Sequence, residues 1–140
     1  MLKRHCLTIL IAAFAVTSMF CGTAMAEPLD ATEAKLKTSG VDIVRMKMAI
    51  YPSVKKKAKA IDFAGWAVRA DMVQVLVLSF ASEADAKAAP PLLKKWHTEL
   101  VYHSQVIVNG KDLMIIGAAT PREPKASAKR SIAALIKAFK

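Results

Sequence analysis

The sequence predicts an α+β fold, a two-layer sandwich in which helices cover one face of a mostly antiparallel sheet of about five strands. Three observations carry this expectation. Segments of alternating or continuous apolar residues come in pairs joined by short turns, which is how antiparallel neighbours connect. Between the pairs stand segments with apolar residues at helical spacing. A sheet must bury its apolar face against something, and those helices are the available cover.

Residues 28–37 suit a short helix, with Pro28 in a first turn and Gly40 as a stop, although Leu29, Ala34 and Leu36 make a thin apolar face. Over 44–50 the alternation is clear: Val44, Met46, Met48 and Ile50 point one way, and Arg45, Lys47 and Ala49 the other. Pro52 and Ser53 end that strand, and Ser53 is placed to cap a short helix with Val54, Ala58 and Ile61 on its inner side. Residues 63–69 and 72–80 read as two strands around a tight Ala70-Asp71 turn. The second, with Val73-Gln74-Val75-Leu76-Val77-Leu78, is apolar enough to be the central strand.

Ser82 with Asp85 three residues on marks a helix start. Pro90-Pro91 is then expected to break or kink the helix, with a second segment presenting Leu92, Leu93, Trp96 and Leu100 on one side. Strands at 101–108 and 113–118 join across Asn109-Gly110, a pair suited to a tight hairpin. A last helix spans 127–140, with Ile132, Leu135, Ile136 and Phe139 in one stripe.

Residues 1–26 have the layout of a secretory signal peptide. Lys3 and Arg4 precede an apolar run over 7–20, interrupted only by Thr8, Thr17 and Ser18, and Ala24-Met25-Ala26 offers small residues where cleavage is read. The expectation is cleavage after Ala26, one basic domain over 27–140, and a periplasmic or secreted location. The run falls short of the roughly 20 apolar residues a bilayer span needs, and no second run follows, so no transmembrane helix is expected after cleavage. Lipid modification at Cys21 is the competing reading. Ser18-Met19-Phe20 fits the usual Leu-small-small approach to a lipidated cysteine poorly. Cys6 and Cys21 both lie in the leader, so the exported domain would be stabilised by its core without disulfides.

The chain has 21 Lys and Arg against 11 Asp and Glu, a net charge of +10; losing Lys3 and Arg4 leaves 19 against 11, or +8. That balance favours anionic partners and says nothing about fold. Two basic clusters stand out. One is Lys55, Lys56, Lys57 and Lys59; the other is Lys129, Arg130, Lys137 and Lys140, an arc beside the last apolar stripe. Each is also explained more plainly, as the solvated side of a helix that packs inward.

Chemistry beyond charge has little support. No G-x-S-x-G elbow, S-x-x-K motif or phosphate-cradling glycine loop occurs, and no C-x-x-C-H is present for haem attachment. No cofactor is expected. His97 and His103 are the histidines left after the leader, and they could meet across a helix–strand corner, yet a metal site normally wants a third ligand. A hydroxyl–histidine pairing such as Ser104 with His103 is what chance alone supplies. Trp66 and Trp96 are candidate lining for an apolar pocket between sheet and helices, though each suits the core as well. Tyr51 and Trp66 are too few aromatics among the lysines to favour nucleic acid.

The resulting expectation is a non-catalytic binding or accessory protein that contacts an anionic envelope component or an acidic protein through its basic patches. A small-ligand binder using Trp66 and Trp96 is the alternative. A metal or enzymatic role for His97 and His103 comes third.

Overall fold

A computed structural model describes residues 29–47 and 52–140, so the leader at 1–26 and the second half of the strand predicted over 44–50, with Met48 and Ile50, lie outside the described residues. The elements run α1 (Asp30–Lys37), β1 (Val44–Met46), α2 (Pro52–Ala58), β2 (Ala60–Val68), β3 (Val73–Phe80), α3 (Glu83–Leu100), β4 (Tyr102–Asn109), β5 (Asp112–Ala118) and α4 (Ala126–Phe139). All the strands form one sheet of order β1-β2-β3-β5-β4, antiparallel throughout. The α+β class and the five-stranded antiparallel sheet are therefore those read from the sequence.

The layering goes further than the sequence reading, which put the helices over one face. Along β3, Val73, Val75 and Val77 join a core with Leu36 of α1 and Ala128, Ile132, Leu135 and Phe139 of α4. Leu76, Leu78 and Phe80 face the other way, into a core with Ala58 of α2 and Ala86, Ala89 and Leu93 of α3. Alternate side chains of a strand leave opposite faces, so both faces of the sheet are covered. The cause is visible in β3 and β5 themselves. Their side chains are apolar on both faces, and neither face tolerates water.

Helix α3 runs unbroken through Pro90 and Pro91, where a break was expected. A proline inside a helix costs about 3 kcal/mol through its missing N–H and its ring. Ala86, Ala89, Leu93 and His97 are buried along one side of the helix, and anchoring on both sides of the prolines offsets that cost. The buried side is turned from the one predicted. Leu92 is 42% exposed, and His97 takes an inner position instead. Smaller differences have local causes. Helix α2 starts at Pro52, one residue before the expected Ser53 cap, and Ile61 belongs to β2, where it is 49% exposed. The β2–β3 turn spans Arg69 to Met72, closed by Met72 N–H to Arg69 O at 3.4 Å with Met72 at φ 53°.

Helix α1 is fastened to the sheet by one carboxylate. Glu33 accepts hydrogen bonds from Trp66 Nε1 at 3.0 Å and Arg45 Nε at 2.6 Å, and pairs with Lys37 at 2.8 Å. The Arg45 guanidinium also lies 5.3 Å from the centre of the Trp66 ring and reaches Asp30 at 3.2 Å. Trp66 is fully buried, so its N–H needs an acceptor, and Glu33 is that acceptor. The Lys37 and Trp66 hydrogen bonds, reinforced by Arg45, hold the Glu33 carboxyl down to about 2.

A carboxyl that titrates near 2 when folded and near 4.5 when unfolded stabilises the fold fully above about pH 4.5. That contribution is lost as the pH falls from there towards 2. With screening at a partly exposed site it is on the order of 1–2 kcal/mol. Glu33→Gln should lower stability at pH 7 by about that amount and flatten the acid limb of a urea-unfolding series from pH 5 to 2. An unchanged acid limb would contradict the assigned role.

Candidate functional site

A concavity among the described residues lies between α4 and the outer edge of β4. It encloses about 690 Å³ and is lined by His103 and Gln105 from β4, Glu123 and Pro124 from the preceding loop, and Ile132, Ala133 and Ile136 with Lys129, Lys137 and Lys140 on or just past α4. The volume is in the range of ligand-binding clefts. Its floor is apolar and its rim is basic.

Two sets of contacts lay α4 alongside β4 in the same direction. At the helix start, His103 Nε2 meets Pro121 O at 2.8 Å, and Glu123 pairs with Lys129 at 3.0 Å while lying 3.9 Å from His103 Nδ1. At the helix end, Asn109 Nδ2 donates to Phe139 O at 2.8 Å and Lys140 O at 3.2 Å. Lys35 Nζ donates to the same Phe139 carbonyl at 2.8 Å. These donors satisfy carbonyls that a helix C-terminus leaves unpaired, and the lysine complements the helix dipole. Asp71 in the β2–β3 turn steadies the first turns of the helix by accepting from Ser131 Oγ at 2.6 Å. Hydrogen bonds from Ser131 and Ser127 hold its carboxyl below the usual range.

The start of β4 is shaped by a bulge between Tyr102 and Gln105, with His103 at φ 51°. This irregularity turns His103 towards Pro121 and the groove, and Ser104 towards α3. Ser104 Oγ lies 3.2 Å from His97 Nδ1. His97 is 7% exposed, and burial first, then the nearby Lys94 charge, lowers its pKa from the usual imidazole range. The pair joins the end of α3 to the bulge, and neither residue lines the groove.

The predicted site residues are distributed as follows. Lys129, Lys137 and Lys140 come together on the groove rim, whereas Arg130 does not line it and its charge acts on Asp71 instead. Lys55, Lys56 and Lys57 stand exposed on α2, and Lys59 follows with φ 61° and lies 4.0 Å from Asp85. Helix α2 packs on the face of the sheet opposite α4, so the two basic clusters do not form one surface. His97 and His103 are engaged separately, by Ser104 and by Pro121. Among the described residues, no three His, Cys, Asp or Glu side chains converge to hold a metal ion. No described helix is long and apolar enough to cross a membrane.

The tryptophans are also divided. Trp66 is sealed in the α1/α4 core. Trp96 is on the other side, packed edge-on to Phe63 with ring centres 5.8 Å apart, and it lines a shallow cleft of about 270 Å³ with Val54, Lys57, Leu92 and Lys95. The Trp96 indole N–H is buried without an acceptor among the described residues.

Three groove features were missed from sequence: the floor residue Ala133, the acid Glu123 and the bulge that aims His103. Glu123 carried a faint signal, as an acid just before a basic helix. Comparison of the chain with protein-family models, with curated proteins and with solved structures finds no match.

Gly117 on β5 sets the shape of the bulge. A Cβ there would fall 2.5 Å from Tyr102 O, 2.8 Å from Val101 Cγ1 and 3.0 Å from Ser104 Cα. Two of those three neighbours are backbone atoms, which cannot swing aside. Gly117→Ala is expected to destabilise the protein by about 2–3 kcal/mol in urea unfolding. It should also shift the NMR signals of His103 and Ser104. A stability within about 0.5 kcal/mol of the parent would contradict this packing.

Proposed function

We propose that the protein is a non-catalytic binding module of the cell envelope that receives an anionic partner in the α4–β4 groove. The observation that carries the reading is the placement of Lys129, Lys137 and Lys140 around an apolar floor of Ile132, Ala133 and Ile136. Cations on a concave rim act together on one ligand, whereas cations on a convex helix act singly against water. The envelope location rests on the leader-like residues 1–26 and is part of the proposal. The net charge, +8 once Lys3 and Arg4 leave with the leader, adds long-range attraction to any anionic surface.

The α2 lysines support a weaker version of the same idea. Lys57 of that cluster lines the small cleft beside Trp96. Lys55 and Lys56 face solvent from a short helix and are explained by solubility, and Lys59 lies just past its end near Asp85.

Binding to a soluble polyanion, polyglutamate, separates the two clusters. Replacing Lys129, Lys137 and Lys140 together with glutamine should weaken low-salt binding on the order of a hundredfold, at about 1 kcal/mol per lysine. Replacing Lys55, Lys56 and Lys57 should weaken it far less, and the parent affinity should fall steeply with added salt. Equal losses from the two triple variants, or no loss from the α4 triple, would overturn the assignment of the groove.

A further inference from the structure

The edge of the sheet beside the groove has a second property that the lysines alone do not explain. Strand β4 pairs with β5 on one side and with no other described strand. The hairpin between them has a two-residue turn, Gly110-Lys111, with Gly110 at φ 59°, so Asn109 and Asp112 close it as a hydrogen-bonded pair. Counting back from that pair, Gln105, Ile107 and Asn109 direct their backbone groups into the sheet. Val106 and Val108 direct theirs outward. No backbone hydrogen bond from another described element meets them.

Exposed edges are usually blunted by lysine, proline or an inward charge. From Gln105 to Asn109 this edge has none of these; its only irregularity is the bulge before Gln105. It is a regular, uncharged edge running beside a groove with a basic rim.

We propose that β4 takes an extended acidic peptide segment of a partner protein as a sixth strand, with alternate side chains of that segment seated in the α4 groove. The inference rests on the reading of the groove as an anion site and names the partner's chemistry. Three occupants can be weighed. A lipid chain lying there would cover the Val106 and Val108 backbone groups without meeting them, a cost that a strand avoids. A second copy pairing β4 with β4 would bring two identical basic rims together, each on a domain of +8 once the leader is removed. An acidic strand meets both the backbone groups and the lysines.

The dimensions select a pattern. Lys129 and Lys137 are eight residues apart on a helix, about 12 Å along its axis. In a strand, side chains on one face recur every second residue, so positions i and i+4 are about 13–14 Å apart. Acids at i and i+4 therefore match the two lysines, and an apolar residue at i+2 falls over Ile132, Ala133 and Ile136 between them. The pattern acid-x-apolar-x-acid reads the same in both directions, so either strand orientation fits. Lys129 is already paired with Glu123, but both side chains are largely exposed, so an incoming carboxylate can share or replace that pair.

The probe is a seven-residue threonine peptide with glutamate at its second and sixth positions and valine at its fourth. Two further versions carry N-methyl groups on alternate residues, one on the even set and one on the odd. In main-chain pairing only one set of amides faces β4, so one methylated peptide should bind at least about tenfold more weakly. The other, with its methyl groups facing solvent, should bind like the parent peptide. Amide hydrogen exchange at Val106 and Val108 should slow when the parent peptide is bound.

Equal binding of all three peptides would overturn the strand pairing and leave the anion site standing. Failure of all three, with anionic phospholipid vesicles binding through the α4 lysines, would overturn the peptide partner alone. If Val106 and Val108 are already protected in the protein by itself and the peptide does not bind, a second copy holds the edge and the proposal falls. If polyglutamate, vesicles and peptides all fail to bind, the groove reading falls with it.

Discussion

Burial of both faces of β3 and β5 is the constraint from which the rest of the molecule follows. Val75 and Val77 leave one side of β3, Leu76 and Leu78 leave the other, and all four are at most 1% exposed. Each such side chain contributes on the order of 2 kcal/mol when taken out of water, so neither face can be left open. The chain meets the demand with α1 and α4 on one side and α2 and α3 on the other. That division has a functional consequence. It separates the two basic clusters, and it puts α4, with its groove lysines, beside a sheet edge that no other described strand pairs.

The fixings around this core show which helix positions are specified most closely. Glu33 ties α1 to Trp66 and Arg45, while Asp71, Asn109 and Lys35 hold the two ends of α4. Hydrogen bonds to charged groups are stronger than neutral ones, and these cluster on the α1/α4 face. On the α3 face the polar links are the Ser104–His97 hydrogen bond and a long Lys59–Asp85 ion pair at 4.0 Å, and the Trp96 N–H has no partner among the described residues. Helix α4 is therefore pinned at both ends, which keeps its lysines in register with β4. Fixed spacing of that kind is what a patterned partner can read.

Much of the fold was legible because local patterns and tertiary demands agree. The apolar run in β3, the Gly110 hairpin and the Ile132/Leu135/Phe139 stripe each state their role within a few residues. The failures share a cause. Pro90 and Pro91 signal a break locally, and only the burial of Ala86, Ala89 and Leu93 against a distant sheet overrides it. The second helix layer was hidden because continuous apolar strands announce double burial without saying which helix covers which face. At the site, the lysines were legible as composition. Their partition between faces depends on topology, and the β4 bulge depends on Gly117, whose reason lies across the sheet at Tyr102 and Ser104.

The central claim is that anion recognition is confined to the α4–β4 side, and residue-resolved NMR during a polyglutamate titration tests it most directly. The account predicts that amide shifts concentrate in residues 103–109 and 129–140, with little change at 55–59. Shifts centred on 55–59, or spread evenly over all the lysines, would contradict it.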